Sequence, residues 1–373
     1  MLVVKTGDAL PDQGGSGTSG NYEDVDPAYV ILDASSRTLF AARYSSVNYN
    51  GIYRADADGQ IECLVTIFDA VPGGVLTAFG GQLAASPSGR WIAFVGVRND
   101  LSTGIFVWDD TTGLAGILAA ATTATTVPGE SVPFDDNWSG MSIDDSGELC
   151  FAGSSGASFH TWRWTAVGLV NLARTGEAMP LVAAETVDLS LAEGICASGK
   201  VTVRASAETT GSVRLFRFDA TPAAEAVLIP GAGAPSGDAW LELVDAADVR
   251  TSAGGWVSFL GVETGSGQTV LAADGGGSAR EVARIGGEVP GTSESITGIP
   301  RTRLGGGKVV YLASTAAGEY LVGQGSSGTD AVIAEPSATV TGLVDDCFFV
   351  SESGAVVYTA ELVGGGTSVM TGE

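Results

Sequence analysis

One phrase returns seven times along the chain, and its spacing limits the folds open to it. In its clearest form it reads Ser86-Pro87-Ser88-Gly89-Arg90-Trp91-Ile92-Ala93-Phe94, a turn running into an apolar strand. The copies end at Phe40, Phe94, Phe151, Val203, Phe259, Tyr311 and Tyr358, with separations of 54, 57, 52, 56, 52 and 47 residues. A period near 50 with several short strands per unit is the pattern of a β-propeller, in which no repeat can bury its faces alone. The fold expected is all-β: a seven-bladed β-propeller.

Within a repeat the order is inner strand, turn, second strand, polar loop, third strand, hairpin, outer strand. The second repeat spells out all four strands at residues 76–84, 91–96, 104–108 and 114–118. Asp56-Ala57-Asp58-Gly59 and Asp109-Asp110-Thr111-Thr112-Gly113 are the hairpin signals between third and outer strands. A second phrase marks the joins: Leu172-Ala173-Arg174-Thr175-Gly176-Glu177-Ala178-Met179-Pro180, with fuller echoes at residues 2–11 and 282–290. Weaker copies end at Pro72, Pro128 and Pro235. Each is an outer strand followed by a Gly/Pro loop into the next inner strand. The repeats then lie at about 6–65, 66–118, 119–173, 174–229, 230–283, 284–334 and 335–373. The last repeat ends after its third strand, while residues 2–4 are a spare outer strand. Pairing the two completes the last blade, so the ring is expected to be closed by the N-terminal strand, with no open edge.

The phrase at residues 86–94 resembles the blade motif of TolB-type propellers. The joining phrase Ala173-Arg174-Thr175-Gly176-Glu177, with Pro180 after it, resembles a family of uncharacterised repeat propellers in bacterial and archaeal proteins. The resemblance implies a propeller over nearly the whole chain. Its motifs are turns, strands and joints, so it carries no catalytic residue across. In the fifth and sixth repeats Gly254 and Gly306 replace the turn serine, a change that leaves the strand pattern intact.

The charge balance excludes partners. With 43 acidic and 18 basic residues the formal charge is -25. Such a surface repels phosphates, which argues against DNA or RNA. Only Lys5, Lys200 and Lys308 are lysines. That bias resembles proteins of salt-loving organisms, where salt screens the repulsion between carboxylates; an ordinary acidic secreted protein has the same balance. Residues 1–5 lack the features of a secretion signal, and no apolar run reaches about 18 residues, so neither a leader nor a membrane span is expected. Cys63, Cys150, Cys196 and Cys347 lie far apart without a CxxC pair, and buried free thiols are expected, with a Cys150–Cys196 bridge as the alternative.

Catalytic and metal chemistry is hard to assemble from these residues. His160 is the only histidine, sits in the strand-like run Ser158-Phe159-His160-Thr161-Trp162, and is expected to be partly buried there. No G-x-S-x-G elbow accompanies it, and zinc ligation fails for want of partners. Acidic doublets at Asp109/Asp110, Asp135/Asp136, Asp144/Asp145 and Asp345/Asp346 read as solvated turns. Calcium is the one ion such turns could hold, but none has the spacing of a calcium loop. No cofactor and no dedicated metal site are expected. Carboxylates gathered from different blades at the channel mouth would be the basis of a hydrolase.

Two polar loops stand out. Arg43-Tyr44-Ser45-Ser46-Val47-Asn48-Tyr49-Asn50 and Arg98-Asn99-Asp100 join second to third strands, on the end shared with the joining loops. Tyr44, Asn48, Tyr49, Arg98, Asn99 and Asp100 are the candidate binding residues, beside the 18-residue loop at 7–24. The function expected is non-catalytic recognition or assembly, as a spike- or turret-type surface component of a virus particle or similar assembly. Its partners would be other subunits, copies of itself among them, or a host-surface glycan or protein. A secreted or periplasmic glycan- or protein-binding propeller and a channel-mouth hydrolase are the alternatives. Asn137-Trp138-Ser139 is the glycosylation sequon.

Overall fold

The computed structural model describes residues 24–25, 31–32, 37–43, 51–56, 60–182, 185–196, 198–219, 224–244, 249–276, 279–328, 330–335, 340–351, 353–362 and 367–372. Every regular element among them is a strand, and the strands pair into seven antiparallel sheets. The chain divides into two compact units, Met1–Arg174 and Thr175–Glu373. Residues 2–4, and with them the predicted closing strand, lie outside the described residues.

The first unit holds three sheets. The second of these shows the plan: Gly74–Ala85, Trp91–Arg98, Thr103–Asp109 and Gly113–Thr122 pair in order, with Ala70–Val71 added on the inner edge. These are the four predicted strands, each lengthened by a few residues. The third sheet comprises Trp138–Ile143, Leu149–Ser155, Ser158–Thr165 and Gly168–Arg174. Middle strands are buried along their length, with all seven residues of Leu149–Ser155 buried. The outer strand Gly168–Arg174 is largely half-buried. Between second and third sheets lies a core containing Val95, Ile105, Phe134, Phe151 and Trp162. Trp162 has no exposed surface; its truncation to alanine would cost about 3–5 kcal/mol.

The second unit repeats the scheme four times. Its sheets begin at Val187–Ile195, Trp240–Leu243, Gly298–Gly305 and Val340–Val350. Apolar cores again fill each gap, with Leu215, Phe259 and Val270 between its first two sheets, and Leu271, Val309 and Tyr311 between the next two. Its last sheet has three strands among the described residues, ending in Thr367–Gly372.

The recurring turn has one construction. A side-chain oxygen four or five residues before the strand accepts the amide that closes it: Ser86 Oγ from Trp91 at 3.1 Å, Asp144 Oδ1 from Glu148 at 2.9 Å, Ser252 Oγ from Trp256 at 3.3 Å and Ser351 Oγ from Ala355 at 3.1 Å. The glycine of each turn lies at positive φ, from 68° at Gly89 to 83° at Gly147 and Gly255, a region that costs an L-residue about 1–2 kcal/mol. A donor from the sheet before then binds a carbonyl of the turn. Arg37 Nη2 donates to Ser88 O at 2.7 Å, Arg217 Nη2 to Gly255 O at 3.2 Å, Arg280 Nη2 to Gly307 O at 3.4 Å and Lys308 Nζ to Gly354 O at 3.1 Å. These bonds tie one sheet to the next at the end where the turns sit.

Two expectations are corrected and one holds. His160 is wholly buried, not partly buried. Asp144 and Asp109, each the first of an acidic doublet, are buried and not solvated, because each is used to fasten a turn. The cysteines hold to expectation: Cys63, Cys150 and Cys196 form no disulfide, so the alternative bridge is not formed; burial pushes the Cys63 thiol up to about 12.

Candidate functional site

In each sheet the turns and hairpins lie at one end, and the polar loops and joining loops lie at the other. The candidate residues fall at the loop end. Tyr44, Asn48, Tyr49 and the loop at 7–24 lie outside the described residues. Arg98, Asn99 and Asp100 are described, and their polar groups are turned to holding the loop itself.

Arg98 is buried at the end of its strand. Its Nη1 donates to Pro72 O of the preceding joining loop at 2.9 Å, its Nε to Ser102 Oγ at 2.6 Å and its Nη2 to Asp100 Oδ2 at 3.2 Å. Asn99 Oδ1 accepts from Val75 N at 3.2 Å, and Asn99 N donates to Val75 O at 2.9 Å. Asp100 Oδ1 accepts from Ser102 N at 3.0 Å. Hydrogen bonds from Ser102, with Arg98 nearby, hold its carboxyl below the usual carboxylate range, so the loop keeps that charge well into acid. Gly73 and Gly74 are required by this clamp, since a Cβ on Gly73 would collide with Arg98 Nη1 and one on Gly74 would meet Asn99 Oδ1 at 2.5 Å. The result is a rigid loop, and what it presents outward is Leu101.

Leu101 is 83% exposed at φ 67°, and Phe68 of the joining loop before it is 69% exposed at φ 90°. Bulky residues avoid left-handed backbone and large apolar side chains avoid water, so each position opposes two preferences at once. Val132, in the next joining loop, is also exposed. The three loops follow one another along the same end. Arg98 links the first two, while Thr123 N donates to Thr103 O at 2.8 Å and Thr123 Oγ1 accepts from Thr103 N at 3.2 Å to link the second and third.

Under the Val132 loop lies a buried polar cluster. Glu130 Oε1 is 3.1 Å from His160 Nε2 and 2.7 Å from Arg174 Nη2, and its Oε2 accepts from Ser155 Oγ at 2.7 Å. Ser155 Oγ is 3.0 Å from the same His160 Nε2. Burial lowers the His160 pKa and Arg174 adds to this, while Glu130 opposes it, so the ring is neutral at neutral pH. Serine, histidine and glutamate are the components of a hydrolytic triad, but the arrangement differs. A triad needs the hydroxyl on one ring nitrogen and the acid on the other. Here both meet Nε2, Nδ1 is buried without a partner, and Ser155 is itself buried. The cluster holds the base of a loop.

In the second unit the joining loop after the first boundary carries Leu181 at φ 59°, 62% exposed. Elsewhere in that unit Glu193 Oε1 faces Arg204 Nε at 2.7 Å, beside a shallow depression lined by Leu189, Leu191, Arg204, Ser206 and Val213. Burial pushes the Glu193 carboxyl up to about 7 against the pull of Arg204 and Arg250. Arg204 and Glu193 are thus an ion pair at the edge of the depression, both mostly buried. Among the described residues no group of three or more His, Cys, Asp or Glu side chains is placed to hold a metal ion, and no helix is long and apolar enough to cross a membrane.

Of the six candidate residues, Arg98, Asn99 and Asp100 share one loop of the second sheet, where each is hydrogen-bonded within or beside that loop. Phe68, Leu101 and Val132 were legible as large apolar residues set inside Asp-, Gly- and Pro-rich turns.

A family model described as a family of unknown function (DUF7453) matches residues 1–293 and, in a second overlapping match, residues 89–372. One model fitting the same chain in two registers is what an internal repeat produces. Among solved structures, one from a study of two prolyl endopeptidases is similar over 92% of this chain and 46% of its own, at 13% identity and TM-score 0.52. Dipeptidyl peptidase 4 of Porphyromonas gingivalis is similar over 99% and 57%, at 12% identity and TM-score 0.51. TolB of Acinetobacter baumannii is similar over 86% and 66%, at 15% identity and TM-score 0.38. This chain therefore spans about half to two thirds of the length of these structures, and identities this low speak for the fold alone. The fold is all-β and propeller-like. No curated protein matches the sequence.

Proposed function

The chain belongs to the family of unknown function DUF7453, and from that footing we propose that it is a non-catalytic recognition propeller whose loop end is its contact face. The observation that carries this reading is the outward placement of Phe68, Leu101 and Val132 on loops braced from within. Braced apolar residues lose little freedom when they meet a partner, which favours binding. The geometry around His160 supports the non-catalytic half of the proposal.

In its more specific form the partner is a neighbouring subunit of a larger assembly, such as a virus-particle surface. A secreted binding protein would use the same face for a free partner. The test places a photo-crosslinking amino acid at position 101 or at position 167, where the 95% exposed Val167 caps a hairpin at the opposite end. In the cells or particles that contain the protein, position 101 is expected to form adducts and position 167 is not. Adducts confined to position 167 would reverse the reading.

The proposal includes the ring itself: seven blades, with residues 2–4 completing the last. Its support is the three-stranded last sheet where each of the other six has four or more strands among the described residues. Deleting residues 1–5 is then expected to lower the melting temperature sharply, because it exposes a sheet edge. An unchanged melting curve would remove the closure.

A further inference from the structure

We infer that the loop end of the first unit docks a basic protein segment, one that presents apolar side chains flanked by lysine or arginine. The inference rests on the contact-face reading above and adds the chemistry of the partner. The charged groups around the three exposed apolar residues supply the argument. Asp100 and Asp136 are exposed at this end, and Asp69 and Asp135 are half-buried. Among the described side chains the arginines here are Arg98 and Arg174. Both are already engaged: Arg98 is buried in its own loop and paired with Asp100, and the half-buried Arg174 is bound to Glu130. The apolar contacts therefore sit in an acidic frame, on a chain of formal charge -25.

That frame decides among occupants. A second copy of the chain would bring the same acidic surface against itself, and like charges facing across an interface oppose association. Anionic lipid surfaces and nucleic acids are repelled for the same reason. A segment with cations spaced around apolar anchors satisfies both features. Its apolar groups cover Phe68, Leu101 and Val132, and its cations meet carboxylates that need not be desolvated to attract them. Electrostatic steering would raise its association rate, and salt would lower it.

The test uses the full chain and four short synthetic peptides: alternating leucine with lysine, leucine with glutamate, leucine with serine, and serine with lysine. The leucine–lysine peptide is expected to bind at least roughly tenfold more tightly than the others and to weaken about tenfold between 50 and 500 mM salt, since surface attractions are screened over that range. Phe68→Ser and Leu101→Asn are each expected to weaken it about fivefold, whereas Val167→Ser, at the other end, leaves it unchanged. Circular dichroism and melting curves show whether each variant is folded. If the leucine–serine or leucine–glutamate peptide binds as well and is still lost in Leu101→Asn, the partner is not basic and the contact face stands. If serine–lysine binds as well as leucine–lysine, or if neither loop variant weakens binding, the attraction is diffuse charge and the inference fails. Failure of the leucine–lysine peptide to bind also overturns it.

Discussion

The two ends of the sheets in this protein fill their left-handed positions differently. At the turn end the same solution recurs: an oxygen that closes the turn, a glycine at positive φ, and a donor from the sheet before. At the loop end the joining loops also share a scaffold. Its base is a bridge such as Gly176 N to Val187 O at 2.7 Å, Gly231 N to Trp240 O at 2.7 Å and Gly286 N to Ile296 O at 2.8 Å, and a second bridge follows in Val127 N to Val132 O at 3.0 Å, Met179 N to Glu185 O at 2.8 Å and Val289 N to Glu294 O at 2.8 Å. On that scaffold Phe68 stands at positive φ where Gly176, Gly231 and Gly286 stand in other joints, and Leu181 where Gly129 and Gly291 stand; Leu101 in its polar loop is left-handed as well. Left-handed backbone is met by the cheapest residue where it serves the fold and by costly ones where it displays a side chain. Strain of this second kind is the one associated with function.

The largest expected effect comes from exchanging the two kinds of residue. Gly147→Ala puts a Cβ at φ 83° and within 2.7 Å of Trp91 Cε2, for a predicted loss of about 3 kcal/mol from backbone strain and overpacking together. Leu101→Gly relieves strain but loosens the unfolded chain less favourably, so stability should move by less than about 0.5 kcal/mol. Urea unfolding of the two variants measures both. Similar costs at the two positions would erase the distinction between the ends.

A smaller effect separates the ends by pH. The folded His160 pKa lies below its ordinary 6.5. The unfolded chain therefore binds a proton there before the folded one does, and stability present above pH 6.5 declines as pH falls through that value. The group sits under the Val132 loop. Hydrogen exchange, corrected for intrinsic rates, should accelerate in residues 127–137 between pH 7.5 and 5.5 more than in residues 86–91. His160→Gln should abolish the difference. Equal acceleration at both ends in the unmodified protein would place the acid sensitivity elsewhere.

The fold was readable because its determinants are local and repeated. A turn glycine four or five residues before Phe94, Phe259 and Tyr358 announces a strand wherever it occurs, and Trp91–Arg98 and Thr103–Asp109 appear nearly where the runs of apolar residues place them. The bonding of the candidate residues was not readable. Arg98, Asn99 and Asp100 look like ligand-binding residues in sequence because their partners Pro72, Val75 and Ser102 are defined only by folding. Glu130 and Arg174 meet His160 from two other segments, and no spacing rule connects them. His160 itself could be placed in a strand, but burial depends on the loop laid over it.

The bonds that Arg37, Arg217, Arg280 and Lys308 make to the turns of the next sheet end on backbone carbonyls, and this has a consequence for how such a chain can change. A substitution can delete the arginine or lysine that donates, but none can delete a carbonyl. These four turns therefore remain competent receivers whatever residues occupy them, and Gly254 or Gly306 can stand where another repeat has serine. Half of every such contact is immune to mutation. A chain with 18 cations among 43 anions can in this way lose complementarity in its side chains, repeat by repeat, and still keep its sheets in register with one another.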